Sequence, residues 1–404
     1  MIRTNIEIEE ARDILLSHIS PINEYEIIPA MRALGRICAE NVYSPINAPD
    51  FPRSAMDGYA VRSKDITGAS KDTPVTLKVI GQLMAGDFEE IVCAPNTAVN
   101  VMTGAYIPEG FDCVVMQEDT DYGQDKVSIY KAVKPYMNYS PAGEEFAKGE
   151  LLIKKGTKIG RIEEFLLASA GITEIKAVRQ PRISVYCTGS ELVYPSQELP
   201  KGKIYNGLGY LLCASISNMG LKYADTNIIP DDESEIAENI RIGLDCSDMV
   251  ITTGGVSVGK KDLVLKVLSH MGAEILFHRA NIQPGTPTAA AILDGKPILC
   301  LSGNPFAAIA NFDFYFPCIA AKMTGSDTFL TDEKTAVLAE PYEKISKHRR
   351  FIRARYENGK VYLPTDRHFS SVVGNLTECN CYIDLPENTK MSVNDMVKIR
   401  MINY

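Results

Sequence analysis

Apolar residues along the chain change period several times, and the changes divide it into unlike regions. Ile8, Ala11, Ile14, Leu15, His18 and Ile19 fall at helical spacing. They predict a first helix over 6–19, ended by Pro21, with His18 on its packed face. A shorter helical stretch over 30–34 stops at Gly35. Pro49 and Pro52 then keep 48–61 extended and irregular. Runs at 75–80, 98–102, 113–116 and 127–130 are short and strand-like, and predict a β domain over 48–140. A helix over 161–170 follows, capped by Gly171. The chain thus leaves and returns through helices. Residues 1–47 and 141–180 are expected to form one helical linker domain, with the β domain inserted in it.

Strand-like and helical runs alternate from 181 to 327. Strands are predicted at 183–187, 223–229, 249–253, 274–278, 288–293 and 297–301. Helices are predicted at 209–219, at 232–244, from Asp262, and from Pro305, which suits a first helical turn. This alternation predicts a doubly wound, mainly parallel α/β domain. Over 328–404 the runs shorten again, at 349–356, 360–363, 381–385 and 396–401, and predict a C-terminal β-barrel-like domain. The expected fold class is multidomain, α/β plus β.

The loops after the predicted strands carry the chemistry. They read Thr188-Gly189-Ser190-Glu191-Leu192, Asp231-Asp232-Glu233, Thr253-Gly254-Gly255-Val256-Ser257-Val258-Gly259, and Ser302-Gly303-Asn304-Pro305. Ligands of open α/β sheets bind outside the carboxyl ends of the strands. The stretch 249–262 runs from apolar strand through glycine turn to helix, a geometry that offers backbone N–H groups to an anion. It is neither a Walker A loop nor G-x-G-x-x-G. In the extended loop before the β domain, Asp57 has two readings: it braces a turn, or it presents a carboxylate to a site.

Composition narrows the partners. Of 404 residues, 45% are apolar and 23% charged, which is ordinary for a globular chain. A net charge of −9 argues against nucleic acid, so an anionic ligand needs a local basic patch or a metal ion. His348, Arg349, Arg350, Arg353, Arg355 and Arg367 supply basic residues near the C-terminus, either as a solvated face or as phosphate partners. Ten cysteines without C-x-x-C suggest reduced thiols, and five scattered histidines give no zinc spacing. No apolar run has transmembrane length and no signal peptide opens the chain, so a cytoplasmic protein without membrane contact is expected.

With the loops placed, the chain resembles the molybdopterin molybdenumtransferase family, known in bacteria as MoeA, and is similar to the C-terminal domain of gephyrin and the plant cofactor-insertion protein. The resemblance runs nearly end to end. It rests on 54–60 (Ser-Ala-Met-Asp-Gly-Tyr-Ala), 102–105 (Met-Thr-Gly-Ala), 114–118 (Val-Val-Met-Gln-Glu), 188–192, 253–259 with Asp262, and 303–305. It implies an elongated homodimer that takes adenylylated molybdopterin and molybdate, or tungstate, and inserts the metal with release of AMP. The reaction would depend on Mg²⁺ and not on ATP. A molybdopterin adenylyltransferase and recipient molybdo- or tungstoenzymes are implied as partners. Carried over residue by residue, Asp57 and Thr103 would come from the partner subunit, while Glu191, Asp231, Asp262 and Arg279 would serve catalysis. Glu145, Glu191 and Asp231 would hold the metal. Thr188, Gly189, Gly254, Gly255, Ser257, Pro284, Gly285, Ser302, Gly303, Asn304, Arg353 and Ser370 would bind the cofactor.

This chain departs from the family pattern. The usual I-K-P-G-K-P run reads Ile282-Gln283-Pro284-Gly285-Thr286-Pro287, and a further lysine becomes Arg279. Gly-Glu-Asp becomes Gly143-Glu144-Glu145, and Leu-Pro-Gly-Asn-Pro becomes Leu301-Ser302-Gly303-Asn304-Pro305. A C-terminal Gly-Ser-Gly reads Phe369-Ser370-Ser371. Two readings follow. One is an active metal-insertion enzyme, with a tungstate-preferring paralogue as its variant. The other is a pterin- or nucleotide-binding homologue without catalysis, suggested by the lost lysines.

Overall fold

Successive residues of a buried strand face opposite sides of its sheet, and here each side gathers its own core. Met249, Ile251, Leu299 and Leu301 face one layer of helices; Val250, Ile298 and Cys300 face the other. The computed structural model describes residues 2–256, 263–364 and 369–402. Its central sheet has seven strands, in spatial order Arg3–Ile6, Glu274–Ala280, Ala289–Leu293, Lys296–Leu301, Met249–Thr253, Arg182–Thr188 and Lys222–Ile229. Ala289–Leu293 runs antiparallel to both neighbours, and the other pairings are parallel.

Helices Ile8–Ser17, Gly207–Asn218 and Pro305–Thr324 cover one face of the sheet, and Glu233–Cys246 and Leu263–His270 cover the other. Pro305–Thr324 is mostly apolar around its circumference, which suits a buried helix. Phe306, Phe312, Phe314, Tyr315 and Phe316 are all buried in it. Pro305 opens its first turn and Gly325, at φ 67°, ends it.

The first residues differ from expectation. Arg3–Ile6 pairs in parallel with Glu274–Ala280, so an edge strand of the large sheet that was not expected precedes the first helix. Helix Ile8–Ser17 buries Ile8, Ala11 and Leu15 beside it. His18 is exposed at the helix end rather than packed, its Nδ1 2.9 Å from the Ile14 carbonyl.

A second, five-stranded sheet has the order Cys113–Met116, Gly58–Val61, Thr97–Val101, Val75–Leu83, Lys126–Ile129. Two short pairings, Tyr25–Pro29 with Glu174–Val178 and Val42–Tyr43 with Leu151–Ile153, join the segments on either side of it. Near the C-terminus, Glu333–Leu338, Lys360–Tyr362, Arg350–Glu357, Cys381–Leu385 and Met396–Met401 close into a barrel, which leaves no free sheet edge. Arg349 fastens this barrel to the first helix. Its Nε donates to Asp384 at 2.6 Å and its Nη1 to Glu9 at 2.7 Å. Among the described residues no helix is long and apolar enough to cross a membrane.

Candidate functional site

Four strands of the large sheet end at one cleft of ≈ 660 Å³. Thr188 and Thr253 are the last residues of their strands; Asp231 follows a third, and Ser302 and Gly303 follow the fourth. The glycine loop crosses the cleft against its neighbour. Gly254 has φ +87°, and a Cβ there would sit 2.5 Å from the Thr188 carbonyl oxygen, so no other residue fits without displacement. Its N–H is already spent on the Leu301 carbonyl at 3.1 Å. The N–H groups of Gly255 and Gly303 make no bond among the described residues, and these remain for an anion. Thr188 Oγ1 donates to the Thr253 carbonyl at 3.1 Å and locks the two strand ends together.

The charge in this cleft is acidic. Among the described residues Glu191 and Asp231 line it, and no Lys or Arg does. Asp231 is positioned by its own strand-end loop: its Oδ2 accepts from the Ser190 N–H at 3.3 Å, and its N–H donates to Ser190 Oγ at 3.1 Å. No third Asp, Glu, His or Cys joins them into a metal-sized cluster among the described residues.

A second cleft of ≈ 420 Å³ lies between the large sheet domain and the barrel. Lys344, Arg350 and Arg353 line it, together with Pro284, Gly285, Asn304 and Ser370, and no Asp or Glu does among the described residues. Ser302 and Pro287 line both clefts, so the acidic and basic chambers adjoin at these two residues. Asn304 donates its amide to Ser370 Oγ at 3.0 Å, tying the sheet domain to the segment after the barrel strand Lys360–Tyr362. The Gln283 N–H donates to the Arg349 carbonyl at 2.8 Å and the Phe351 N–H to the Gln283 carbonyl at 2.9 Å, which docks the barrel on the cleft wall.

Several sequence candidates have their polar groups committed. Arg353 is buried against the Phe306 ring at 3.6 Å. It donates to the Phe369 carbonyl at 2.7 Å and to Asn375 Oδ1 at 2.5 Å, and also to the Val372 carbonyl. It therefore holds the 369–375 segment in place, and burial lowers its pKa from the usual arginine value. Gln283 Oε1 accepts from Ser346 Oγ at 3.1 Å, and Thr286 Oγ1 donates to the Ile282 carbonyl at 2.6 Å.

Other candidates lie apart from both clefts of their own chain. Asp57 and Thr103 meet in the smaller sheet domain, where Asp57 Oδ1 accepts from both the N–H and the hydroxyl of Thr103, each at 2.7 Å. The Thr103 N–H, and after it the hydroxyl, hold the Asp57 carboxyl below the usual carboxylate range. Glu145 is exposed in a loop, its N–H donating to the Ala48 carbonyl at 2.9 Å. Arg279 stands at φ 71° with its Nε donating to Asn5 at 3.0 Å beside the edge strand. Ser257 and Asp262 lie outside the described residues, as does Arg367.

Two participants escaped sequence reading. Asn206 caps helix Gly207–Asn218 by accepting from the Gly209 N–H at 3.0 Å, and it lines the acidic cleft. His278 Nε2 lies 3.2 Å from the Val256 carbonyl and supports the glycine loop from the neighbouring strand. An Asn ahead of an apolar run is a legible cap signal; a lone His in a strand is not.

Comparison with known proteins covers almost the whole chain. Residues 6–171 match the MoeA N-terminal region (domain I and II), 184–321 a probable molybdopterin binding domain, and 335–400 the MoeA C-terminal region (domain IV). A molybdopterin molybdenumtransferase from Staphylococcus epidermidis is 34% identical over 392 residues, 96% of this chain and 93% of that protein. One from Staphylococcus aureus is 33% identical over 377 residues, covering 91% of this chain and 90% of the relative. A crystal structure of the molybdopterin biosynthesis MoeA protein from Pyrococcus horikoshii OT3 superposes with a TM-score of 0.85 at 29% identity, covering 98% of this chain and 100% of that one.

Proposed function

Because the chain belongs to the MoeA family of molybdopterin molybdenumtransferases, we propose that it inserts molybdate or tungstate into adenylylated molybdopterin and releases AMP. The observation that carries this reading is the pair of adjoining clefts with opposite charge, joined at Ser302 and Pro287. A reaction that joins a phosphate-bearing substrate to a small oxyanion needs a chamber for each, side by side.

In this reading the acidic cleft takes the phosphate-bearing substrate. The N–H groups of Gly255 and Gly303 hold its phosphate, with Thr188, Gly189 and Gly254 shaping the wall. Two carboxylates facing a phosphate are repulsive unless a cation lies between them. Glu191 and Asp231 offer hard oxygen donors, which suits Mg²⁺, an ion that commonly takes one or two carboxylates and completes its shell from substrate and water. When bound, such an ion would neutralise charge on the phosphoanhydride as AMP leaves. The basic cleft takes the oxyanion, lined by Pro284, Gly285, Ser302, Asn304 and Ser370. Arg353 acts there as a support for the 369–375 segment. The substrate would be supplied by an adenylyltransferase.

The site is completed by a second copy of the chain. Asp57 and Thr103 line neither cleft of their own subunit, yet Oδ2 of Asp57 has no partner among the described residues. A homodimer has a surface to form on: Ile27 is 69% exposed, Met31 94% and Leu34 64%, with Ile162 and Phe165 exposed on the adjacent helix Arg161–Ser169. The experiment is AMP release from adenylylated molybdopterin with Mg²⁺, with and without molybdate or tungstate. Release stimulated by either oxyanion supports the enzyme; tight binding without release would establish the non-catalytic homologue instead.

A further inference from the structure

The basic cleft lacks the two lysines that the family resemblance leads one to expect at 283 and 286, and neither residue standing there carries a charge. Gln283 Oε1 takes the Ser346 hydroxyl, and the Thr286 hydroxyl is turned onto the Ile282 carbonyl. Arg353, the best-buried cation of the cleft, is committed to main-chain carbonyls and Asn375. Charge for an anion must come from another place. Arg350 stands opposite Gln283 in a parallel bridge, and it lines the cleft. Its Nε is buried and has no hydrogen-bond partner among the described residues. Among the described residues Arg350 makes no ion pair; its guanidinium lies 5.7 Å from the centre of the Tyr342 ring. Lys344 lines the same cleft and is likewise without an ion pair among the described residues.

A buried guanidinium N–H without an acceptor is costly, and among the described residues the cleft holds no carboxylate to pair with it. An oxyanion in the cleft would supply the missing acceptor. We propose that Arg350, seconded by Lys344, is the oxyanion-binding cation of this chain, delivering from the barrel the charge that positions 283 and 286 do not. The inference rests on the reading of the basic cleft as the oxyanion chamber. It adds that the recognising group has moved from one wall to the other. A planar fork with several N–H donors also favours a tetrahedral dianion such as molybdate, tungstate or sulfate over a halide.

The test is isothermal titration of the purified protein with molybdate and with tungstate, alongside thermal melting of each variant. Arg350→Gln should weaken oxyanion binding roughly tenfold or more, one charge-assisted contact being worth about that factor, with the melting temperature unchanged. Arg350→Lys should keep most of the binding. Gln283→Lys added to Arg350→Gln should restore it, which a merely structural role for Arg350 would not allow. Wild-type affinity in a folded Arg350→Gln would overturn the assignment while leaving the cleft reading intact. No oxyanion binding by the wild type would overturn both.

Discussion

Gly58 shows how a single atom is excluded. A Cβ there would lie 1.9 Å from the Val115 carbonyl oxygen, in the middle of a five-stranded sheet whose strand Gly58–Val61 is buried along its length. We predict that Gly58→Ala destabilises the smaller sheet domain by about 3 kcal/mol, read as a fall in the denaturant midpoint. The preceding Asp57 was open between bracing a turn and presenting a carboxylate. Oδ1 does the first, and only Oδ2 is left for the second. Its depressed pKa contributes stability that is present above the unfolded value and lost as pH falls through the folded one. Thr103→Val removes the hydroxyl but keeps the N–H bond. The Asp57 carboxyl followed by NMR should therefore titrate at higher pH, yet still below the usual range; an unmoved titration would remove the hydroxyl from the account.

Among the elements, the helix Pro305–Thr324 carries an acidic residue in its largely apolar middle. Asp313 accepts from the Tyr382 hydroxyl of the barrel at 2.7 Å, and burial, opposed by that bond, pushes its carboxyl up to about 7. A raised carboxyl pKa stabilises the fold most below the unfolded value, and the contribution is lost as pH rises through the folded one. Asp313→Asn should therefore gain melting temperature relative to wild type at pH 8 and gain least at pH 4; equal gains at both would contradict the assignment. That helix was legible because Pro305, a long apolar run and Gly325 mark it. Arg3–Ile6 was not, since a four-residue edge strand with exposed side chains has no alternation to read. Glu333–Leu338 hides for a related reason: only Ala336 and Leu338 are buried, and its closing partner, Met396–Met401, is distant in sequence. The direction of Ala289–Leu293 follows from pairing, which periodicity does not encode.

At the scale of the molecule, the strand-end loops were legible because glycine and polar residues follow each apolar run, and the structure brings four of them to one cleft. The basic cleft was not, because it forms between units far apart in sequence, with Lys344 and Arg350 meeting Pro284 and Ser302 only after the barrel docks. The proposal that Asp57 serves the partner's cleft has a direct check. Asp57→Asn and Glu191→Gln dimers should each be inactive in AMP release. Refolded together, they should recover about a quarter of wild-type activity, since half the dimers are mixed and each has one intact site. No recovery would confine the site to one subunit.

The wall shared by the two clefts, Ser302 and Pro287, has a practical corollary for anyone seeking to block such a protein. An anionic fragment suited to the barrel side and a chelating fragment suited to the carboxylate side need only a short tether past one serine and one proline. Tethering makes the second binding event intramolecular, so two weak fragments would combine into an inhibitor far stronger than either.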